Sequence, residues 1–375
     1  MTLFDMFLKV TTRYKAEVAF VYRIKNAEYR ITYKKLFDDV LLLSKAFRAK
    51  GIKKGDKVMF LSDNRYEWIM SDLALLAIGA INVPRGTDTP TDELEYIMTH
   101  AGCTHLLIEN NITLELHKEM LDELNLSSVF VLDEYKQLLE DEKPISQDDI
   151  NNFINLEKLH KKEDIFTIIY TSGTTGKPKG VPLNHINMMY NIDTIPDAIE
   201  LKHSDVWLSI LPSWHVFERA SEYVAIARGC TIVYSTVKTF AADLEQYRPT
   251  LVATVPRLWE SMYAKITNTI AKDLKKAAIF ETLVEISKIY KKNLRIIRDE
   301  LPRFEEQSAS SSFAKKIIPL IKVIALFPLY LFAKKKLSLV QKKFGGKLKL
   351  AISGGGMLPQ YVDEWLDALD IRIVN

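Results

Sequence analysis

From Lys57 to Asn375 short apolar runs alternate with longer amphipathic ones, and no other feature limits the possible folds as much. Runs of about four to eight apolar residues suit strands, whereas apolar positions three and four apart suit helices. The pattern predicts strands over Lys57–Leu61, Ala80–Val83, His105–Ile108 and Ser127–Leu132, with helices over Tyr66–Ile78 and Asp92–Ala101. A polar stretch from Asp133 to Lys162 reads as a connection. A second series places strands over Ile165–Tyr170, Val206–Leu211, Thr231–Tyr234, Thr250–Thr254, Leu348–Ile352 and Ile371–Val374. Short strands separated by helices imply parallel sheets covered on both faces. The expected fold is therefore α/β, built as two doubly wound βα halves, residues 1–162 and 163–375. A mostly helical insertion at about 260–343 interrupts the second half, with a Ser-rich turn at Gln307–Ser312. Ligands of such sheets bind beyond the carboxyl ends of the strands.

At one such end the strand Ile165–Tyr170 runs into Thr171, Ser172, Gly173, Thr174, Thr175, Gly176, Lys177, Pro178, Lys179 and Gly180. Glycines admit positive φ and let backbone N–H groups approach an anion, hydroxyls donate hydrogen bonds, and the two lysines add positive charge. The run suits phosphate, although Gly/Ser/Thr clusters also make plain surface turns. It is not a Walker loop, which spaces its glycines more widely and follows its lysine with Ser or Thr. Here two residues separate Gly173 from Gly176, and Pro178 follows Lys177.

Ser353, Gly354, Gly355 and Gly356 follow another predicted strand and precede a helix near Pro359. Three successive positions without side chains let a flat ring lie against the backbone, or simply make a tight turn. His215 follows a strand end broken by Pro212, a place for a structural histidine or a site residue. Trp214, Phe217 and Tyr223 suit either a core or the wall of a cavity, and Glu218 and Arg219 can pair, cap a helix or touch a ligand.

Net charge is +3, yet 20 Lys and Arg stand against 7 Asp and Glu between Met262 and Lys349. Within that region Ile317–Ala333 is apolar except for Lys322, contains Pro319 and Pro328, and is flanked by Lys315–Lys316 and Lys334–Lys336. A membrane-spanning helix wants about 20 mostly apolar residues, so residues 315–336 read either as an in-plane anchor for an anionic headgroup layer or as a core helix with solvated ends. Cys103 and Cys230 lack metal-ligand spacing and read as buried thiols of a reducing compartment. The first twenty residues show no secretory signal. The expected setting is cytoplasmic, peripheral to the inner face of the membrane, with no nucleic-acid partner and with a homodimer left open.

The order Tyr170-Thr171-Ser172-Gly173-Thr174-Thr175-Gly176-Lys177-Pro178-Lys179-Gly180-Val181 closely resembles the phosphate-binding signature of the adenylate-forming, or AMP-binding, superfamily, which includes acyl-CoA synthetases, luciferases and peptide-synthetase adenylation domains. Leu211–Arg219 and Val255–Glu260 look like its long-chain fatty acyl-CoA synthetase branch, and the resemblance covers about Asn26 to Asn375. It implies the large N-terminal portion of a ligase that uses ATP, Mg2+ and CoA. Such an enzyme converts a long-chain fatty acid to an acyl adenylate with release of pyrophosphate, and then to acyl-CoA with release of AMP. It also implies that Thr171, Ser172, Gly173, Thr174, Thr175, Gly176, Lys177 and Lys179 bind the ATP phosphates. Ser353, Gly354, Gly355 and Gly356 would contact adenine and the acyl group, although Gly356 and Met357 depart from the usual pattern. His215 would be catalytic, placed where carboxylate, AMP phosphate and thiol meet, and Trp214, Phe217 and Tyr223 would line an acyl tunnel. The family's magnesium Glu, ribose Asp and C-terminal domain with its catalytic Lys would follow Asn375. Hence no metal ligand is expected within these residues, and no turnover from them alone. A ligase for another carboxylate and a nucleotide- or acyl-binding module remain as alternatives.

Overall fold

The computed structural model describes residues 1–25, 27–135, 145–172, 176–300 and 309–375, with side chains from 315 onward in the last stretch. These residues divide into two bodies, Met1–Ser235 and Thr236–Asn375. The first opens with α1 (Leu3–Arg13), β1 (Val18–Ile24), β2 (Ala27–Thr32) and α2 (Tyr33–Ala49). It continues through β3 (Lys57–Leu61), α3 (Tyr66–Ile78), β4 (Ile81–Arg85), α4 (Thr91–Ala101), β5 (His105–Ile108), α5 (Asn111–Leu116), α6 (Lys118–Glu123), β6 (Ser128–Val131) and α7 (Gln147–Ile154). It closes with β7 (Ile165–Thr171), β8 (Lys179–Asn184), α8 (His185–Ala198), β9 (Val206–Ser209), α9 (Val216–Ala227) and β10 (Thr231–Tyr234).

One sheet of this body has the order β6-β5-β3-β4-β7-β8 and is parallel except for its last pair. A second run, β9-β10-β1-β2, is parallel except for the β1–β2 hairpin. All thirteen residues of α3 are buried, as befits a helix apolar nearly all round, and left-handed Gly79 ends it. The expected mixed α/β fold is present, but its halves do not divide at 162/163. β7 lies beside β4, with Thr167 opposite Asn82, and β1 lies beside β10, with Phe20 opposite Ile232. In each case the neighbour that satisfies a strand's backbone comes from far along the sequence. The stretch expected to be a plain connection contains α7, started by a Ser146/Asp149 capping box; residues 136–144 lie outside the described residues. Cys230 is buried and Cys103 half-buried, its thiol pushed up to about 12 by burial.

The second body contains α10 (Phe240–Tyr247), β11 (Leu251–Thr254), α11 (Pro256–Ala271), α12 (Leu274–Ile297), α13 (Ala309–Gln341), β12 (Leu350–Ser353), α14 (Gln360–Ala368) and β13 (Ile373–Val374). Strands β11, β12 and β13 are neighbours and parallel. The helical insertion is α11 to α13. Of the expected Ser-rich turn, Gln307 and Ser308 lie outside the described residues and 309–312 are already helical, because the helix that carries the apolar stretch continues back through them.

Tyr33, fully buried at the start of α2, donates from its hydroxyl to the Cys230 carbonyl at 2.8 Å. It thereby joins α2 to the entry of β10, across 197 residues of chain. Tyr33→Phe should cost about 1 kcal/mol, read as a lower urea midpoint at unchanged slope.

Candidate active site

β7 and β8 pair from Ile165 opposite Asn184 to Thr171 opposite Lys179, so the Gly/Ser/Thr/Lys run connects an antiparallel hairpin at the carboxyl end of β7. Gly173, Thr174 and Thr175 lie outside the described residues. Gly176 turns the chain back at φ +88°, in the region that glycine enters without strain. Thr171, Ser172, Lys177 and Lys179 are exposed. Lys177 places Nζ 5.2 Å from the centre of the Tyr96 ring, which stacks on His100, a cation–π contact that restrains one side of the loop. His100 Nδ1 lies 2.6 Å from the Tyr170 hydroxyl. Burial pushes that hydroxyl up to about 12, so Tyr170 keeps its phenolic proton at neutral pH.

Arg85, at the end of β4, carries the bracing further. Its Nη1 donates to the Tyr170 carbonyl at 3.3 Å, its Nη2 donates to Glu93, and its guanidinium carbon lies 5.7 Å from the centre of the Trp214 ring. Trp214 presses on Gly86 so closely that a Cβ there would stand 2.6 Å from the indole Nε1. The amide of Asn64 accepts from the Ser213 N–H and donates to the Leu211 carbonyl. These contacts fix the turn from which α9 starts.

His215 caps α9. Its Nδ1 accepts from the Phe217 N–H at 3.3 Å, so the neutral ring carries its proton on Nε2. Desolvation lowers its pKa from the ordinary histidine value, and the positive end of the helix acts in the same direction. The residue is nonetheless exposed, which leaves Nε2–H available as a donor. Trp214 and Phe217 are half-buried beside it. Tyr223 is a correction: it is fully buried and donates to Asp72 at 3.0 Å, so it belongs to the core and lines no open tunnel. A phenol two helical turns into α9 faces inward, edge-on to Phe166 of β7, and Asp72 of α3 supplies its partner.

The same helix buries Glu218, Arg219 and Glu222 completely. Arg219 pairs with Asp72 and touches no described acidic group on its own helix. Glu222 accepts from Ser209 and Ser213, each at 3.1 Å. Neither carboxylate oxygen of Glu218 has a hydrogen-bond partner among the described residues. Burial, followed by the charge of Glu222, pushes Glu218 well above the usual carboxylate range.

The glycine turn belongs to the second body. Ser353 ends β12 and is buried, the Gly354 N–H donates to the Thr254 carbonyl at 2.9 Å, Gly355 has φ +77°, and Met357 is exposed. A Cβ on Gly356 would meet nothing closer than Pro256 at 3.8 Å, so Gly356 is open on its outer side. Of the residues singled out in the sequence, the described structure links Tyr170, at the root of the loop, to Trp214 and His215. Arg85, Gly86 and Asn64 make that link and carry no motif of their own.

An α/β protein with a braced Gly/Ser/Thr/Lys hairpin loop at the carboxyl end of a sheet strand is the class defined here. The chain matches the model of the AMP-binding enzyme family over residues 7–375 and belongs to that family. The match begins ahead of the resemblance read from the motifs. Among curated proteins the chain is similar to the long-chain-fatty-acid–[acyl-carrier-protein] ligase AEE15, chloroplastic, of Arabidopsis thaliana, with 29% identity over 99% of this chain and 54% of that protein. It is also similar to long chain acyl-CoA synthetase 2 of the same plant, with 26% identity over 90% of this chain and 49% of that protein. Among solved structures it is similar to the inhibitor-bound N-terminal domain of FACL13 from Mycobacterium tuberculosis, with a TM-score of 0.67 and 17% identity over 99% of this chain and 74% of that one. At that identity the likeness is one of fold. The chain spans about half the length of the curated relatives it matches.

Burial pushes Glu222 from 4.5 up to about 7; Asp72 adds to the rise while Ser209, Ser213 and Tyr234 oppose it. Between these two values the folded protein holds a proton that the unfolded chain has released. Stability from this group is therefore complete below 4.5 and is lost as pH rises through 7. Glu222→Gln keeps the shape and removes the titration. Between about pH 5.5 and 8 it should reduce the loss of unfolding free energy by about 1–2 kcal/mol, measured by urea titration at each pH; an unchanged pH dependence would refute the assignment.

Proposed function

We propose that the protein activates a long-chain fatty acid. The carboxylate attacks the α-phosphate of ATP, its oxygen bonds to phosphorus as pyrophosphate leaves, and a thiolate then takes the acyl group while AMP departs. The observation that carries this reading is the family match over nearly the whole chain, together with the hairpin loop at Thr171 to Lys179. Charge on phosphate oxygens would be stabilised by loop amides and by Ser172, Thr174, Lys177 and Lys179. His215, with Nδ1 committed to the Phe217 N–H, would offer Nε2–H to an oxygen of the carboxylate or the phosphate. Trp214 and Phe217 would guide the acyl chain. Ser353, Gly354, Gly355 and Gly356 would lie against adenine or the acyl group.

CoA is the thiol acceptor of this reading. An acyl-carrier-protein thiol is the second reading, favoured because a relative at 29% identity is by name a ligase for that acceptor. Among the described residues no three His, Cys, Asp or Glu side chains gather as a metal site, and no step is assigned here to magnesium. The activity would operate in a reducing cytoplasmic setting.

Thr174→Ala and Lys179→Ala, made in the ligase extended beyond Asn375, test the loop. Loss of one charged hydrogen bond should lower kcat/KM for ATP about 10- to 100-fold in palmitate-dependent ATP–pyrophosphate exchange, with little change in melting temperature. Wild-type ATP kinetics in both variants would remove the loop from the mechanism. Thioester formation with CoA or with an acyl carrier protein, compared at equal concentration, identifies the acceptor.

A further inference from the structure

Helix α13 is long and apolar enough to cross a membrane by length and composition, yet only 11% of its apolar stretch is buried. A core helix would be mostly covered, so the core-helix alternative does not describe this element. Its inner face follows helical spacing: Pro319, Ala333 and Leu337 are buried, and Val323, Leu326 and Tyr330 are half-buried. This face meets α12, where Tyr290 stacks on Tyr330 with ring centres 4.0 Å apart. The opposite face consists of Ile317, Leu320, Ile321, Ile324, Leu331 and Phe332, each 48–67% exposed. Over these positions the helix rises about 24 Å without a charge on that stripe.

The lysines decide how such a stripe is used. On a helical wheel Lys316 and Lys334 flank it on one side, and Lys322 and Lys336 flank it on the other. Lys316 is paired with Asp299 and Lys334 with Asp370. Lys322, Lys335 and Lys336 are exposed, and Lys336 reaches over Phe332 with Nζ 5.7 Å from its ring centre. A flank charged at mid-length is the pattern of a helix lying in an interface rather than crossing it. Crossing would also draw α12, with Glu285, Lys288, Lys291 and Lys292, into hydrocarbon, which ionised groups strongly resist. A second copy is a poor cover for the stripe, since face-to-face contact would bring two lysine-lined flanks together. An anionic surface complements them, as does the excess of 20 basic over 7 acidic residues between Met262 and Lys349.

We propose that the outward face of α13 docks in the plane of an anionic lipid surface, its apolar stripe among the acyl chains and its flanking lysines at the phosphate headgroups. This inference stands independently of the ligase reading. Co-sedimentation of the whole chain with vesicles of phosphatidylcholine, alone or mixed with phosphatidylglycerol, tests it. Binding should favour the anionic vesicles, weaken with salt, and fall about fivefold for each of Lys322→Gln and Lys336→Gln. Ile321→Asp with Ile324→Asp should abolish it at unchanged circular dichroism. A nitroxide on Ile324→Cys should report a depth just beneath the headgroups. Equal binding to both vesicle types overturns the proposal, as does a label depth at the bilayer centre. So does a dimer in sedimentation equilibrium that Ile324→Asp dissociates while vesicle binding is absent.

Discussion

A buried ion pair, Arg219 with Asp72, holds the frame on which the candidate site is built. Both side chains are removed from water, at 0% and 1% exposure, and such a pair survives only when its geometry is good and further hydrogen bonds support it. Asp72 accepts from Arg219 Nε at 2.9 Å and Nη2 at 2.5 Å, from the Asn82 amide at 2.7 Å and from the Tyr223 hydroxyl at 3.0 Å. Arg219 Nη1 donates to Thr167 at 2.7 Å, and Thr167 in turn donates to the Asn82 carbonyl at 2.8 Å. Trp68 and Phe166 place their rings 5.6 and 5.0 Å from the guanidinium carbon. One guanidinium therefore ties α3, β4, β7 and α9 together, and β7 delivers the loop while α9 begins at His215.

The neighbouring acids set a second constraint. Glu218 and Glu222 lie one turn apart on α9, both fully buried, with Arg219 already committed to Asp72. Two carboxylates in that position cannot both be ionised at low cost, and Glu222 is pushed up to about 7. Ser213, whose hydroxyl donates to Glu222 and whose backbone N–H donates to Asn64, joins the acid pair to the turn before His215.

What could be read from the chain alone follows the range of the interactions. Strands at His105–Ile108 and Thr231–Tyr234 and the helix Tyr66–Ile78 match the structure to the residue, because short apolar runs bounded by turn residues are local signals. β8 is hard to read from sequence because Lys179–Asn184 is an edge strand with no buried residue that contains Gly180 and Pro182, and edges are where proline is tolerated. β2 is largely exposed as well, so the hairpin with β1 has no apolar alternation to announce it. The loop and the glycine turn were legible because their chemistry lies in consecutive residues. Asp72, Arg85 and Asn64 were not, since their partners stand 147, 85 and 149 residues away, and nothing local marks them. Tyr223 shows the converse: helical spacing alone cannot separate a cavity wall from a core phenol that has found a carboxylate.

The claim that the Arg219–Asp72 pair organises the site is tested most directly by a double-mutant cycle in urea unfolding. Arg219→Met leaves a buried carboxylate unpaired, so it should cost about 3–5 kcal/mol, and Asp72→Leu should cost a similar amount by stranding the guanidinium. Together the two substitutions should cost much less than the sum of the separate losses, with a coupling energy above about 1.5 kcal/mol. Additive effects of under about 1 kcal/mol each would contradict the account, because that is how a pair behaves when the frame does not depend on it.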